Sequence, residues 1–195
     1  MNSSQNTKLP LLPTLYRDSR TVFRLSDIAM LTGETRLASL NKQLNYYVKK
    51  GEIGNPRKGI YTKQPFKIGE LACILYTPSY LSLEWVLASQ GLIFQFSSEI
   101  TLVSYLSRQV NVAGNEIRYR AVKKEILINT HGILRDQDHL NIASPARAFL
   151  DMLYLQPDFY FDTIESLDKS LVRQLTPLYQ SHALRRRALN WIGDD

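Results

Sequence analysis

"LASLNKQLNYYVKKGEIGNPRKGIYTK", residues 37–63, carries two different patterns in one run. In its first half Leu37, Leu40, Leu44 and Val48 recur at spacings of three and four, the repeat of a helix with one buried stripe. The other face of that helix carries Arg36, Ser39, Lys42, Gln43, Tyr46 and Lys50, with Lys49 beside them. In the second half Ile53 precedes, and Ile60 and Tyr61 follow, a Gly-Asn-Pro-Arg-Lys-Gly tip. That order predicts two short strands and a hairpin loop from which Arg57 and Lys58 project.

The preceding stretch, "FRLSDIAMLTG" at residues 23–33, predicts a shorter helix. Ser26 is the candidate N-cap, Leu25, Ile28 and Leu31 share a face, and Gly33 suits the left-handed residue that ends a helix. The small Ala29 lets the two helices approach closely. Two helices joined by a tight glycine turn, the second one basic outward, form a helix-turn-helix candidate, and the hairpin behind them makes it winged. The second helix matches a groove about 12 Å wide, and the wing is placed to meet the neighbouring backbone or minor groove.

Charge follows the same segment. The chain carries +6 at pH 7 with a pI near 9.4. From Thr35 to Lys67 there are eight cations (Arg36, Lys42, Lys49, Lys50, Arg57, Lys58, Lys63, Lys67) and one acid, Glu52, so this segment holds +7 and the rest of the chain −1. Segregation of this kind points to a polyanionic partner, with double-stranded DNA favoured by the helix and wing.

The remainder predicts an α+β protein. Residues 1–10 read as a disordered tail, 11–66 as the winged helix-turn-helix domain, 67–160 as a mixed α/β domain and 161–195 as C-terminal helices. Pro65 marks the compositional break. Beyond it "KIGELACILYTP" reads as extended, "SLEWVLASQGLI" as a short helix closed by Gly91, and "SEITLVSYLS" and "NEIRYRAV" as strands. "HGILRDQDHLNIA" offers two brief strands, and "SPARAFLDMLYL" opens a helix with Ser144 as N-cap and Pro145 at the first helical position. Arg147 and Asp151, four apart on that helix, are a candidate pair that fixes it against the sheet.

Known catalytic patterns are missing from the sequence. There is no phosphate-binding glycine loop and no G-x-S-x-G elbow, and His131, His139 and His182 lack a recognisable partner pattern. His131, Asp136, Asp138 and His139 lie close together without fixed ligand spacing, and Glu116-Ile117-Arg118 lacks the lysine a nuclease motif needs. The reading is therefore of a non-enzyme with no cofactor and no metal. Cys73 is the sole cysteine and reads as a small buried hydrophobe, and Arg185, Arg186 and Arg187 read as a solvated helix end. One cysteine forms no intrachain disulfide, and no run nears the roughly 18 apolar residues of a membrane span, so a cytoplasmic location is expected.

Three stretches give the chain a family likeness. "KKGEIGNPRKGIYTK", "YTPSYLSLEWVLASQGLI" and "IASPARAFLDML" resemble the wing, the P-x-Y-x-S segment and the A-S-P-x-R-A helix start of the AbiEi antitoxins of type IV toxin–antitoxin (abortive infection) systems. The likeness spans most of residues 20–155, departs at Trp85 and Val86, and does not extend beyond about residue 160. It implies a bacterial DNA-binding antitoxin that represses its own operon at inverted repeats. It also implies a functional partner, a nucleotidyltransferase toxin, countered without a stable complex, and it brings no catalytic residues. The alternative from the residues alone is a stand-alone winged-helix regulator whose second domain dimerises or senses a ligand. A nucleic-acid-processing enzyme that uses the winged helix only for docking is a third reading.

Overall fold

A computed structural model of the chain describes residues 10–95, 98–135 and 140–193. The protein is mixed α+β, with nine α-helices, one 3-10 helix and two sheets among the described residues. It divides into two compact units that meet at Ile74 and Leu75. Except for Pro10, the tail read at residues 1–10 lies outside the described residues.

The first unit runs α1 (Leu11–Arg17), β1 (Val22–Arg24), α2 (Leu25–Thr32), α3 (Leu37–Lys49), β2 (Gly54–Arg57), β3 (Ile60–Thr62) and into α4 (Ile68–Leu75). Its core is Leu11, Leu15, Phe23, Ile28, Leu40, Leu44, Ile53 and Tyr61. The strands form an antiparallel sheet in the order β1-β3-β2, with Phe23 opposite Tyr61 and Arg57 opposite Ile60. Pro56, which has no N–H to give a ladder, sits in β2 at the sheet edge, where the register shifts between Gly54 and Arg57.

Four local expectations change here. Helix α2 starts two residues earlier than a Ser26 cap allows: Arg24 is the N-cap, and its N–H donates to the Asp27 carboxylate at 2.9 Å. Gly33 does take the left-handed ending, at φ 67°. The hairpin tip is shorter than the six residues expected, because β2 extends to Arg57 and leaves Lys58 and Gly59 to make the turn. "KIGELACILYTP" is helical over α4 rather than extended. The reason is tertiary: Glu70, 7% exposed, accepts the N–H groups of Thr21 and Val22 at 2.6 and 2.9 Å. This anchor ties α4 to β1, and the first unit accordingly runs past the break read at residue 66.

The second unit is built on a six-stranded sheet in the order β6-β7-β5-β4-β9-β8: β4 (Ser79–Leu81), β5 (Ile100–Ser104), β6 (Arg108–Val112), β7 (Asn115–Ala121), β8 (Ile133–Arg135) and β9 (Asn141–Ala143). It is mixed, with β5–β7 and β4–β9 parallel and the other pairs antiparallel. Five helices join it: α5 (Glu84–Ser89), α6 (Lys124–Ile128), α7 (Pro145–Leu155), α8 (Lys169–Leu175) and α9 (His182–Ile192), with the 3-10 turn Thr176–Tyr179 between the last two. The C-terminal region is thus less continuously helical than the sequence suggests. Ser144 caps α7 as expected, accepting the Arg147 N–H at 3.2 Å.

Helix α7 is buried from Ala146 to Leu153, and this includes Arg147 and Asp151, both 0% exposed. Their charges are met inside the unit, with the Arg147 Nε 3.4 Å from the Asp151 carboxylate. Asp151 accepts from the hydroxyls of Tyr179 (2.6 Å), Ser82 (2.8 Å) and Tyr80 (3.0 Å). Arg147 donates to the Ile126 and His131 carbonyls at 2.7 and 3.0 Å and to the Tyr80 hydroxyl at 3.1 Å. Burial pushes the Asp151 carboxyl up, against the pull of Arg147 and the three hydroxyls. Burial also works against the Arg147 cation, but Tyr179, Asp151 and Tyr80 outweigh it and its pKa rises. The pair read from sequence does fix the helix to the sheet, as an interior network and not an exposed salt bridge.

Candidate nucleic-acid interface

Helix α3 is oriented by Leu40 and Leu44, 1% and 0% exposed, with Tyr47 and Val48 packed half-buried beside them. Leu37 departs from the expected stripe: in the first turn, outside the buried cluster, it stays 51% exposed. The burial of Leu40 and Leu44 turns two ridges outward, each at spacings of three and four. One runs Arg36, Ser39, Gln43, Tyr46, Lys50; the other runs Ala38, Lys42, Asn45, Lys49. All are exposed except Ser39, which is half-buried. Arg36 precedes the helix as its N-cap, with extended backbone. Ala38 and Asn45 join the residues expected on this face, and Asn45 lies three after Lys42 and four before Lys49. Its amide is of the type that pairs with adenine.

The turn before α3 is fixed by Glu34, 5% exposed, whose carboxylate accepts the Arg36 N–H at 2.9 Å. An acid at this end also complements the helix dipole. Along the helix, Gln43 donates to the Ser39 hydroxyl at 3.5 Å. The Lys50 ammonium stands 4.7 Å from the Tyr46 ring centre, and its pKa is raised above the usual lysine value, with Tyr46 as the main cause. Tyr46 in turn meets Tyr47 edge-on at 5.3 Å. The outward tyrosine is therefore braced on two sides.

In the hairpin, Arg57 and Lys58 are exposed at the turn, and Gly59 takes the left-handed φ of 79° that closes it. The Asn55 amide donates to the Arg57 and Ile60 carbonyls at 3.0 and 2.7 Å, so one side chain spans the turn. This fixes the two cations at the tip.

One cation of the basic segment is buried. Lys63 is only 9% exposed: its ammonium donates to the Asp18 carbonyl and lies 5.8 Å from both the Tyr16 and Phe23 ring centres. Burial lowers its pKa, opposed by Asp18 and Glu70. The exposed cations of the basic segment are thus Arg36, Lys42, Lys49, Lys50, Arg57, Lys58 and Lys67.

Elsewhere, Arg118 is held by Glu99 through two contacts at 2.8 and 2.6 Å, which occupies the motif considered for a nuclease. Asp136, Asp138 and His139 lie outside the described residues, and among the described residues no group of three His, Cys, Asp or Glu is placed to hold a metal. Cys73 is half-buried. Arg185, Arg186 and Arg187 fall in the middle of α9, not at a helix end. The α8–α9 region encloses a cavity of about 590 Å³ lined by Arg173, Gln180, His182, Arg185, Leu189 and Ile192 among others. No described helix is long and apolar enough to cross a membrane.

Comparison with known proteins yields a fold likeness. No protein-family model and no curated protein sequence matches the chain. Among solved structures it is similar to the RV2827C protein from Mycobacterium tuberculosis, with a TM-score of 0.57 and 12% identity over 94% of this chain and 76% of that one. At that identity the likeness is one of fold alone.

Proposed function

We propose that the first unit is a winged helix-turn-helix that binds double-stranded operator DNA, with α3 in the major groove and the β2–β3 hairpin as the wing. We further propose that the protein is the DNA-binding antitoxin of an AbiE-like type IV toxin–antitoxin system and represses its own operon. One observation carries the DNA reading: the solvent face of α3 and the hairpin tip together expose Arg36, Lys42, Lys49, Lys50, Arg57 and Lys58, while Glu34 is turned inward. Such a cationic helix with hydrogen-bonding amides between the charges is suited to phosphate anchoring combined with base reading. The antitoxin part rests on the motif resemblance in residues 20–155.

Reading and anchoring separate by residue. Arg36, Gln43 and Asn45 have forked donors or amides that match guanine or adenine edges, whereas Lys58 offers a point charge. Alanine at Arg36 or Gln43 is expected to relax sequence preference at one or two base pairs, at about 1–3 kcal/mol each. Alanine at Lys58 should weaken all sequences alike. Selection of bound sequences from a randomised DNA pool checks this, and an unchanged preference in both the Arg36 and Gln43 variants would remove α3 from the groove.

The antitoxin reading is tested with the full chain expressed from an unrelated promoter beside a neighbouring nucleotidyltransferase gene. The wild type and a Lys42→Glu/Arg57→Glu variant should both relieve growth arrest at matched protein levels, although the variant no longer represses. Failure of the wild type to rescue leaves the plain regulator. That second reading has its own support in the 590 Å³ cavity, whose Arg173, His182 and Arg185 would suit a ligand-sensing role.

A further inference from the structure

In the second unit, residues 92–94 leave α5 and run beside residues 156–163. The Phe94 N–H donates to the Asp162 carboxylate at 2.7 Å, and the Asp162 and Thr163 N–H groups donate to the Leu92 carbonyl at 3.0 and 3.3 Å. These bonds fix the backbone, yet the Phe94 ring is 73% exposed. Tyr160 is 72% exposed even though its ring meets Trp191 edge-on at 5.8 Å. Two large aromatics held in water by ordered backbone present apolar surface that burial against another molecule would remove from solvent.

Beside them lies a groove of about 430 Å³ lined by Ile93, Pro157, Asp158, Phe159, Tyr160 and Asp162, with Gln95 and Gln156 completing it. Among the described residues its lining holds two carboxylates and no Lys, Arg or His, on a chain whose net charge is +6. We propose that this groove docks a basic peptide segment of another protein. The Tyr160 ring offers its face to a Lys or Arg side chain, and Asp158 takes the cationic head. Ile93, Pro157 and Phe159 receive the apolar residues on either side of it. Asp162 already binds the Phe94 N–H, so its main role is to hold that ring at the groove's edge. This site is independent of the DNA reading of the first unit.

The test is calorimetric titration of the full chain with the peptide acetyl-Leu-Arg-Pro-Leu-Arg-amide and with a matched peptide in which glutamine replaces both arginines. The arginine peptide should bind saturably at one site, and the glutamine peptide at least about tenfold more weakly. Tyr160→Ala and Asp158→Lys should each lower the affinity for the arginine peptide by about tenfold or more, with melting temperatures unchanged because both side chains are exposed. Absence of saturable binding at about millimolar peptide would overturn the proposal. So would a glutamine peptide, or both variants, matching the wild-type result.

Discussion

Replacing Asp151 or Arg147 by alanine is expected to destabilise the second unit by about 3–5 kcal/mol, since either change leaves the partner charge buried and uncompensated. For Asp151 the loss is compounded, because the hydroxyls of Tyr80 and Ser82 lose their acceptor at once and that of Tyr179 keeps only the Arg147 carbonyl at 3.4 Å. For Arg147 the His131 carbonyl loses its side-chain donor as well, and the Ile126 carbonyl keeps only the Asn129 N–H at 3.3 Å. A fall in melting temperature of about 10 °C or more should accompany either change. The double variant Arg147→Met/Asp151→Leu should be less damaging than the sum of the single ones, because no charge is then left alone. Urea unfolding followed by circular dichroism measures all three. A single-variant cost under about 1 kcal/mol, the value of an exposed pair, would show that the network does not hold α7 to the sheet.

That network also marks where sequence reading stops. The i,i+4 spacing of Arg147 and Asp151 was visible, and so was the Ser144-Pro145 start of their helix, because both are local features. Their burial was not visible: the partners Tyr80 and Tyr179 stand 71 and 28 residues from Asp151. The same division holds in the first unit. Leu40, Leu44 and Gly33 took their expected places because helical period and backbone sterics are short-range properties. Helix α4 was misread because the group that fixes it, Glu70, meets backbone 49 residues upstream at Thr21. Leu37 and Lys63 exchanged their expected surroundings for a related reason. Leu37 lies outside the buried cluster and is exposed, while Lys63 is drawn against Asp18 and two aromatic rings. Periodicity gives the face of a helix, but it does not tell where the core beneath ends. In the candidate interface the outward residues of α3 were nearly all legible, and Asn45 was within reach of the same spacing rule.

The second large effect concerns salt. Each phosphate neutralised by Lys or Arg releases bound cation and contributes about −0.9 to the slope of log affinity against log salt. Seven cations of the basic segment are exposed, six of them on α3, at its N-cap and C-cap or at the hairpin tip, and not all can meet phosphate in one pose. With about five contacts the slope should be about −4 to −5, a loss of about 500-fold in affinity between about 50 and 200 mM salt. Lys42→Ala or Lys58→Ala should make it shallower by about one unit each.

Fluorescence anisotropy of the full chain on a labelled duplex from its own upstream region, titrated at several salt concentrations, is the most direct test of the claim that α3 and the hairpin form a DNA-binding surface. The expected result is saturable binding with a slope of about −4 to −5, lowered in steps by the Lys42 and Lys58 variants. A slope shallower than about −2, or one that neither variant changes, would contradict it.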